Sequence, residues 1–366
     1  MVTLVADPHP KAKAAVFEQT NLVSDGLVKA PVIDPNLINP WGVSFKPTGP
    51  FWVSDNGQGV ATIYDGKGHP QTIAGHTAIT IAVPPGQTTP ASPTGQVFNS
   101  TGHGFAISSG GKTASSVFIF ATEDGTISGW NPAVNSGSSV LAVDNSEGGK
   151  GAVYKGLAIA KTEDGTLLFA ANFRSGNVDV FDSKFKHVRS FTDPGVPKGY
   201  APFNVSVIDG HLFVTFALQN SEKHDDVAGA GHGFVDEFNL NGELVKRVAS
   251  RGPLDSPWGM AIAPSGFGKF SHDLLIGNFG DGTINVFNPH NDKFLGKLSG
   301  SNGAPIKIGD LWALVPGNHG PNSDPKKIYF TAGVQNEMHG LFGTLGAVTD
   351  HHQTTTASMP SAHMLA

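Results

Sequence analysis

The chain contains no cysteine, which excludes disulfides, thiolate metal ligands and a cysteine nucleophile. Charge is also sparse: Asp, Glu, Lys and Arg make up 15% of the 366 residues, and the net charge of -6 comes without a basic run or stripe. A nucleic-acid backbone has little to hold here, so nucleic acid is not an expected partner. No stretch approaches the roughly 20 apolar residues of a membrane-spanning helix, and no membrane span is expected. A G-x-S-x-G nucleophile elbow, an H-E-x-x-H zinc helix and a P-loop are all missing, which removes three common hydrolase and nucleotide chemistries. The opening MVTLVADPHPKAKAAV lacks a secretory apolar core.

Glycine is abundant instead, at 47 residues with 25 prolines, a balance that suits many short strands joined by tight turns. Two distant phrases nearly coincide, NPWGVSFKPTGPFWVSDNGQG from Asn39 and SPWGMAIAPSGFGKFSHDLLIGNFGDG from Ser256. Related segments recur as NPWGVSF, GHGFAIS, YKGLAIA, APFNVSV, SPWGMAI and GDLWALV, centred on Trp41, Gly104, Leu157, Asn204, Trp258 and Trp312. Each is followed by a second apolar run ending in a polar turn, then by a third run with period-two alternation, the mark of half-buried strands. A weaker fourth run completes five of the six units. Four antiparallel strands repeated about an axis make a propeller blade, so the expected fold is all-β, a six-bladed β-propeller.

The sixth unit lacks its fourth strand, and AVFEQTNLVS from Ala15 supplies one, so the last blade is closed by the N-terminal strand and no sheet edge stays open. The domain reading is a flexible segment 1–14, a propeller over 15–348 and a patternless tail over 349–366 expected to be disordered. The phrases QTNLVSD, DPNLINPWGVSFKPTGPFWVSDNG, HDDVAGAGHGFVDEFNLNGELVKRVAS and LDSPWGMAIAPSGFGKFSHDLLIGNFGDGTINVFNP resemble those of an uncharacterised bacterial family of exported conserved hypothetical proteins with NHL-like six-bladed propellers. That resemblance implies a secreted or cell-surface protein and brings no established activity.

In a four-stranded meander, the loop leading into the inner strand and the loop between the second and third strands share one face. The first set supplies the ligand-binding candidates Asn39, Trp41, His103, Asn204, Trp258 and Trp312; the second supplies Glu123, Asn172, Arg174, Asn278 and Glu337. For Asn278 turn chemistry is the stronger reading, since Asn tolerates the positive φ of tight turns. Tryptophans at equivalent inner positions are more often packing between blades than a binding platform. Arg174 and Glu337 are charges that the repeat does not share, suited to a ligand contact or to an ion pair between blades.

The insertion Leu218–Gly233 breaks the repeat most strongly, and insertions on a rigid scaffold are where function concentrates. His224, Asp225, Asp226 and His232 are metal-ligand types, and His339 could approach from blade six, which raises a divalent metal, calcium or zinc, as a cofactor. Their spacing matches no recognised signature, and a solvated lid explains the segment as well. Two functions follow. One is a monomeric binding protein that presents a polar-aromatic face to a small molecule, glycan or protein. The other is a metal-dependent lactonase- or lyase-type enzyme with its site at the top of the central channel and its catalytic residues unassigned. The inner runs carry no carboxylate for a strong metal site, which favours binding.

Overall fold

Six antiparallel sheets stand in a ring in the computed structural model, which describes residues 16–163 and 165–348. The expected flexible segment and tail, 1–14 and 349–366, lie outside the described residues. Neighbouring inner strands contact one another in order, and the sixth returns to the first. Five blades begin with the inner strands Pro40–Phe45, Pro93–Phe98, Tyr154–Thr162, Tyr200–Ile208 and Pro257–Ile262. Blade six runs through Leu311–Pro316, Ile328–Ala332 and Leu341–Ala347 and takes its outer strand from Phe17–Ser24. That strand pairs antiparallel with Leu341–Ala347, Phe17 opposite Ala347 and Ser24 opposite Leu341, so the ring closes as the sequence predicts. Among the described residues no helix is long and apolar enough to cross a membrane.

Blade two departs from the expected register. Its inner strand is Pro93–Phe98, whereas the GFAIS segment forms one arm of an added hairpin, Ala106–Ser109 paired with Lys112–Ser115. The position that does repeat is glycine in four blades, Gly42, Gly95, Gly156 and Gly259, with Asn204 and Ala313 in blades four and six. A Cβ on Gly42 would lie 2.5 Å from the Thr94 carbonyl oxygen, and one on Gly156 would lie 2.2 Å from Asn204 Oδ1. Where glycine stands at this place, the inner strand approaches its neighbour too closely for a Cβ, while blades four and six admit Asn204 and Ala313.

Just before that glycine the pairing register slips, between Pro40 and Val43, Tyr154 and Gly156, Pro202 and Asn204, Pro257 and Met260, and Leu311 and Leu314. Such bulges re-aim a side chain out of the pleat. The residues at the slip are Trp41, Lys155, Phe203, Trp258 and Trp312, with Thr94 at the matching place in blade two. Trp41 and Trp312 stack at 3.4 Å between ring centres, and Trp258 meets both edge-on at 6.1 and 5.7 Å. Phe203 packs on Trp312 at 5.9 Å. All four rings are buried and close the channel. Beyond them, at the far ends of the inner strands, a cavity of about 480 Å³ is lined by residues including Val43, Leu157, Val205, Met260 and Leu314.

Candidate functional site

Lys155 takes the place that tryptophan holds in three other blades, so its stem lies over the aromatic closure and its ammonium faces the loop side. The ammonium sits 5.1 Å from the centre of the Trp41 ring and 5.8 Å from that of Phe173, within reach of the negative ring faces. Trp258 Nε1 donates to the Lys155 carbonyl at 3.1 Å and holds that backbone from across the channel. The lysine side chain is only 2% exposed, and a buried charge needs partners. It has two: Glu123 from blade two, and Asp225 from the blade-four insertion at 3.3 Å. Burial opposes the charge, but Glu123 and Asp225 outweigh it and hold the lysine above its ordinary pKa, so it remains an ammonium.

From this pair a hydrogen-bonded chain crosses the blades. Asn56 Nδ2 donates to Glu123 Oε2 at 2.8 Å, and Asn39 Nδ2 donates to Asn56 Oδ1 at 3.3 Å and to Glu337 Oε2 at 2.7 Å. Trp312 Nε1 donates to Asn39 Oδ1 at 3.0 Å, so the aromatic closure orients the chain above it. Burial pushes Glu337 up to about 7, against the Asn39 hydrogen bond and with help from the Glu123 charge. Burial likewise pushes Asp226 up to about 6. Asp225 is the reverse case: its hydrogen bond from His224 and the nearby Lys155 charge pull it down to about 2. The same bond, 2.8 Å long, raises His224.

Glu337 reaches the channel from an unusual backbone. Gln335, Asn336 and Glu337 have φ of 58, 55 and 64°, three successive non-glycine residues in the left-handed region. Such a conformation costs roughly 1–2 kcal/mol per residue and persists where surroundings over-determine it. Here the Glu337 amide donates to the Gly333 carbonyl at 2.6 Å and the Asn336 amide to Asp310 Oδ2 at 2.8 Å.

The structure thus gathers Asn39, Trp41, Glu123, Trp258, Trp312, Glu337, His224, Asp225 and Asp226 around one channel mouth. The remaining candidates lie elsewhere. His103 lies after the true inner strand of blade two, just before the added hairpin, and is exposed on the opposite face, its Nδ1 against the Thr101 carbonyl. Asn172 and Asn278 hold their turns: Asn172 donates to Asp179 and Asn278 to Asp281 and the Pro253 carbonyl. Asn204 ties blade four to the Trp258 carbonyl at 2.8 Å. His232 folds back on the Val227 carbonyl, and His339 pairs with Asp25. Arg174 braces the loop 147–151 through the Gly149 and Gly151 carbonyls. Sequence reasoning sets Lys155 on this face with the other entry-loop residues but not among the ligand candidates, and the signal it leaves unused is a lysine in a position otherwise mostly aromatic.

Beside the channel mouth a second cavity of about 580 Å³ opens on the same face, with Gln87, Glu123, Asp124, Arg174 and His224 in its wall. Gln87 Nε2 donates to Asp124 Oδ1 at 3.0 Å and Asp124 Oδ2 accepts from the Ser92 amide at 2.8 Å, so that wall is fixed by its own bonds.

No protein-family profile matches the chain. It is 32% identical over 343 residues to the uncharacterised protein R648 of Acanthamoeba polyphaga mimivirus, covering 92% of this chain and 82% of that one. A second uncharacterised protein of the same virus, L690, is 32% identical over 344 residues, 92% of this chain and 87% of its own. Among solved structures, a Bacteroides thetaiotaomicron protein of unknown function superposes over 92% of this chain and 77% of its own with a TM-score of 0.55 at 9% identity, a likeness of fold alone. A streptogramin B lyase covers 91% of this chain and 98% of its own at 11% identity, and its TM-score of 0.49 carries no argument about activity. The relatives found by sequence are viral, where the resemblance of phrases pointed to bacterial exported proteins.

Proposed function

Because the chain belongs to one family with these uncharacterised mimivirus proteins, we propose its function from its own geometry: it binds a small polar ligand on the loop-bearing face of the propeller. The observation that carries this reading is the 580 Å³ cavity whose wall joins Glu123 and His224 of the channel cluster to Arg174 and Asp124. Its volume falls in the range of small-ligand pockets, and its wall offers an amide, carboxylates, an imidazole and a guanidinium. No Phe, Tyr or Trp ring lines it, which argues against a ligand held chiefly by stacking on a large ring. The channel tryptophans do not serve as a platform either, since all three are buried.

Thermal-shift screening with monosaccharides, disaccharides, amino acids and polyamines tests the reading. A binder should stabilise the wild type and stabilise Arg174→Ala and Asp124→Ala less. Equal stabilisation of both variants by every binder would place the ligand elsewhere.

A second reading, lactonase- or lyase-type chemistry, is favoured by Glu337. A carboxyl held near 7 can give or take a proton at neutral pH, and the Lys155 ammonium nearby can stabilise developing negative charge. Turnover of a lactone or ester panel that Glu337→Gln abolishes would support it. Turnover unchanged in that variant would remove Glu337 from the chemistry.

A further inference from the structure

We propose that Glu123, His224 and Asp225 form a divalent-cation site of the zinc class, and that the Lys155 ammonium is the cation it displaces. This goes beyond ligand binding at the neighbouring cavity, since the metal would bind with or without an organic ligand. The three residues each present one donor atom, and those atoms lie within 4.8 Å of one another. The donors are also positioned by bonds of their own. Asn56 occupies Glu123 Oε2 and leaves Oε1 toward the cluster, the kind of outer hydrogen bond that orients a metal ligand. In the insertion, Asn220 Oδ1 accepts from the His224 amide at 3.0 Å, the Asn220 amide donates to the Asp225 carbonyl at 2.8 Å, and the Val227 amide donates to the Leu218 carbonyl at 2.7 Å. These bonds fold the insertion into a turn that holds His224 and Asp225 over Glu123.

Asp226 supplies an independent reason. Its carboxyl lies within electrostatic reach of Lys155 and Glu337 and beside the Ser256 hydroxyl, and its Oδ2, shut off from solvent, makes no well-formed hydrogen bond. A buried acceptor left unpaired is costly and calls for an explanation. A cation that takes Glu123 Oε1 and an Asp225 oxygen would free the Lys155 ammonium, and the Asp226 carboxyl is an acceptor within its electrostatic reach. The cluster would then pass from one cation satisfied by two carboxylates to two cations shared among three. One imidazole with carboxylates is a zinc-type donor set, whereas calcium takes six to eight oxygens. On the cavity side Glu123 and His224 face open space, where a further coordination position would lie.

Isothermal titration of zinc chloride into chelator-treated full-length protein, with no organic ligand present, tests the site separately from the ligand-binding reading. One zinc per chain is expected for the wild type and for His232→Ala, whose ring lies outside the cluster. His224→Ala and Asp225→Asn change partly exposed side chains and should fold; each should bind at least about tenfold more weakly. Calcium should bind more weakly than zinc. Lys155→Met should bind zinc about tenfold more tightly, because a competing charge is gone. Should that variant not fold, the wild-type Lys155 side-chain NMR resonance gives the same information, since zinc should shift it. Absence of stoichiometric zinc, or equal affinity in the wild type and both ligand variants, overturns the site. A motionless Lys155 resonance at zinc saturation, or no gain in Lys155→Met, overturns the displacement.

Discussion

Lys155 of blade three and Glu123 of blade two form an ion pair at the channel mouth, the lysine side chain 2% exposed and the glutamate 12%. Removing one partner of such a pair leaves a buried charge without compensation, a loss of about 3–5 kcal/mol. Glu123→Ala should therefore destabilise the propeller by several times the cost of Asp225→Asn, because Asp225 is 61% exposed and its contact with Lys155 is screened by water. Urea denaturation of the two variants checks the order, and equal small losses would mean that the pair holds no charge away from water.

Asp55 gives a pH dependence. It is wholly buried in blade one, with Oδ2 accepting the Thr62 amide at 3.1 Å and Oδ1 without a partner. Burial, assisted by the Asp34 charge, holds it well above the ordinary value of 3.8. A raised folded pKa contributes stability that is fully present below the unfolded value and lost as pH rises through the folded one. Asp55→Asn keeps an acceptor for Thr62 and carries no charge. Its stability should equal or trail that of the wild type below about pH 4 and gain on it steadily above. Parallel stability curves between about pH 3 and 9 would show that Asp55 is not the group responsible.

The tryptophan closure should be structural. Trp41→Ala removes a buried ring stacked on Trp312 and should cost roughly 3–5 kcal/mol. In a double-mutant cycle with Trp312→Ala, a coupling of about 1 kcal/mol is expected for the stacked pair. Additive losses would contradict direct packing between blades one and six.

Much of this architecture is readable in the chain because PWG recurs at Pro40 and Pro257 and because the alternation of later strands repeats with it. The third-position glycine is forced by contact between neighbouring inner strands, so it survives where the tryptophan does not, as in PTG at Pro93 and YKG at Tyr154. Alignment on the apolar run instead of that glycine placed blade two on GFAIS, a true strand of an added hairpin, and carried His103 to the wrong face. Glu337 was legible as a charge that the repeat does not share, and Glu123 as a loop residue of the same face. Lys155 was legible as a residue of this face but not as its centre, because its importance lies in a bulge that turns it into the channel, and bulges leave little trace in composition. His232 and His339 share the chemistry of His224 but not its direction. Their partners, the Val227 carbonyl and Asp25, come from local folding and from the distant N-terminal strand end.

The central claim is that binding takes place on the loop-bearing face, beside the Lys155 cluster, and not at the other end of the channel. A crystal structure of the protein with the strongest binder from the ligand screen tests this most directly. Density for the ligand against Glu123, Arg174 and His224 is the predicted result. Density confined to the opposite cavity, against Leu157, Val205 and Met260, would contradict it.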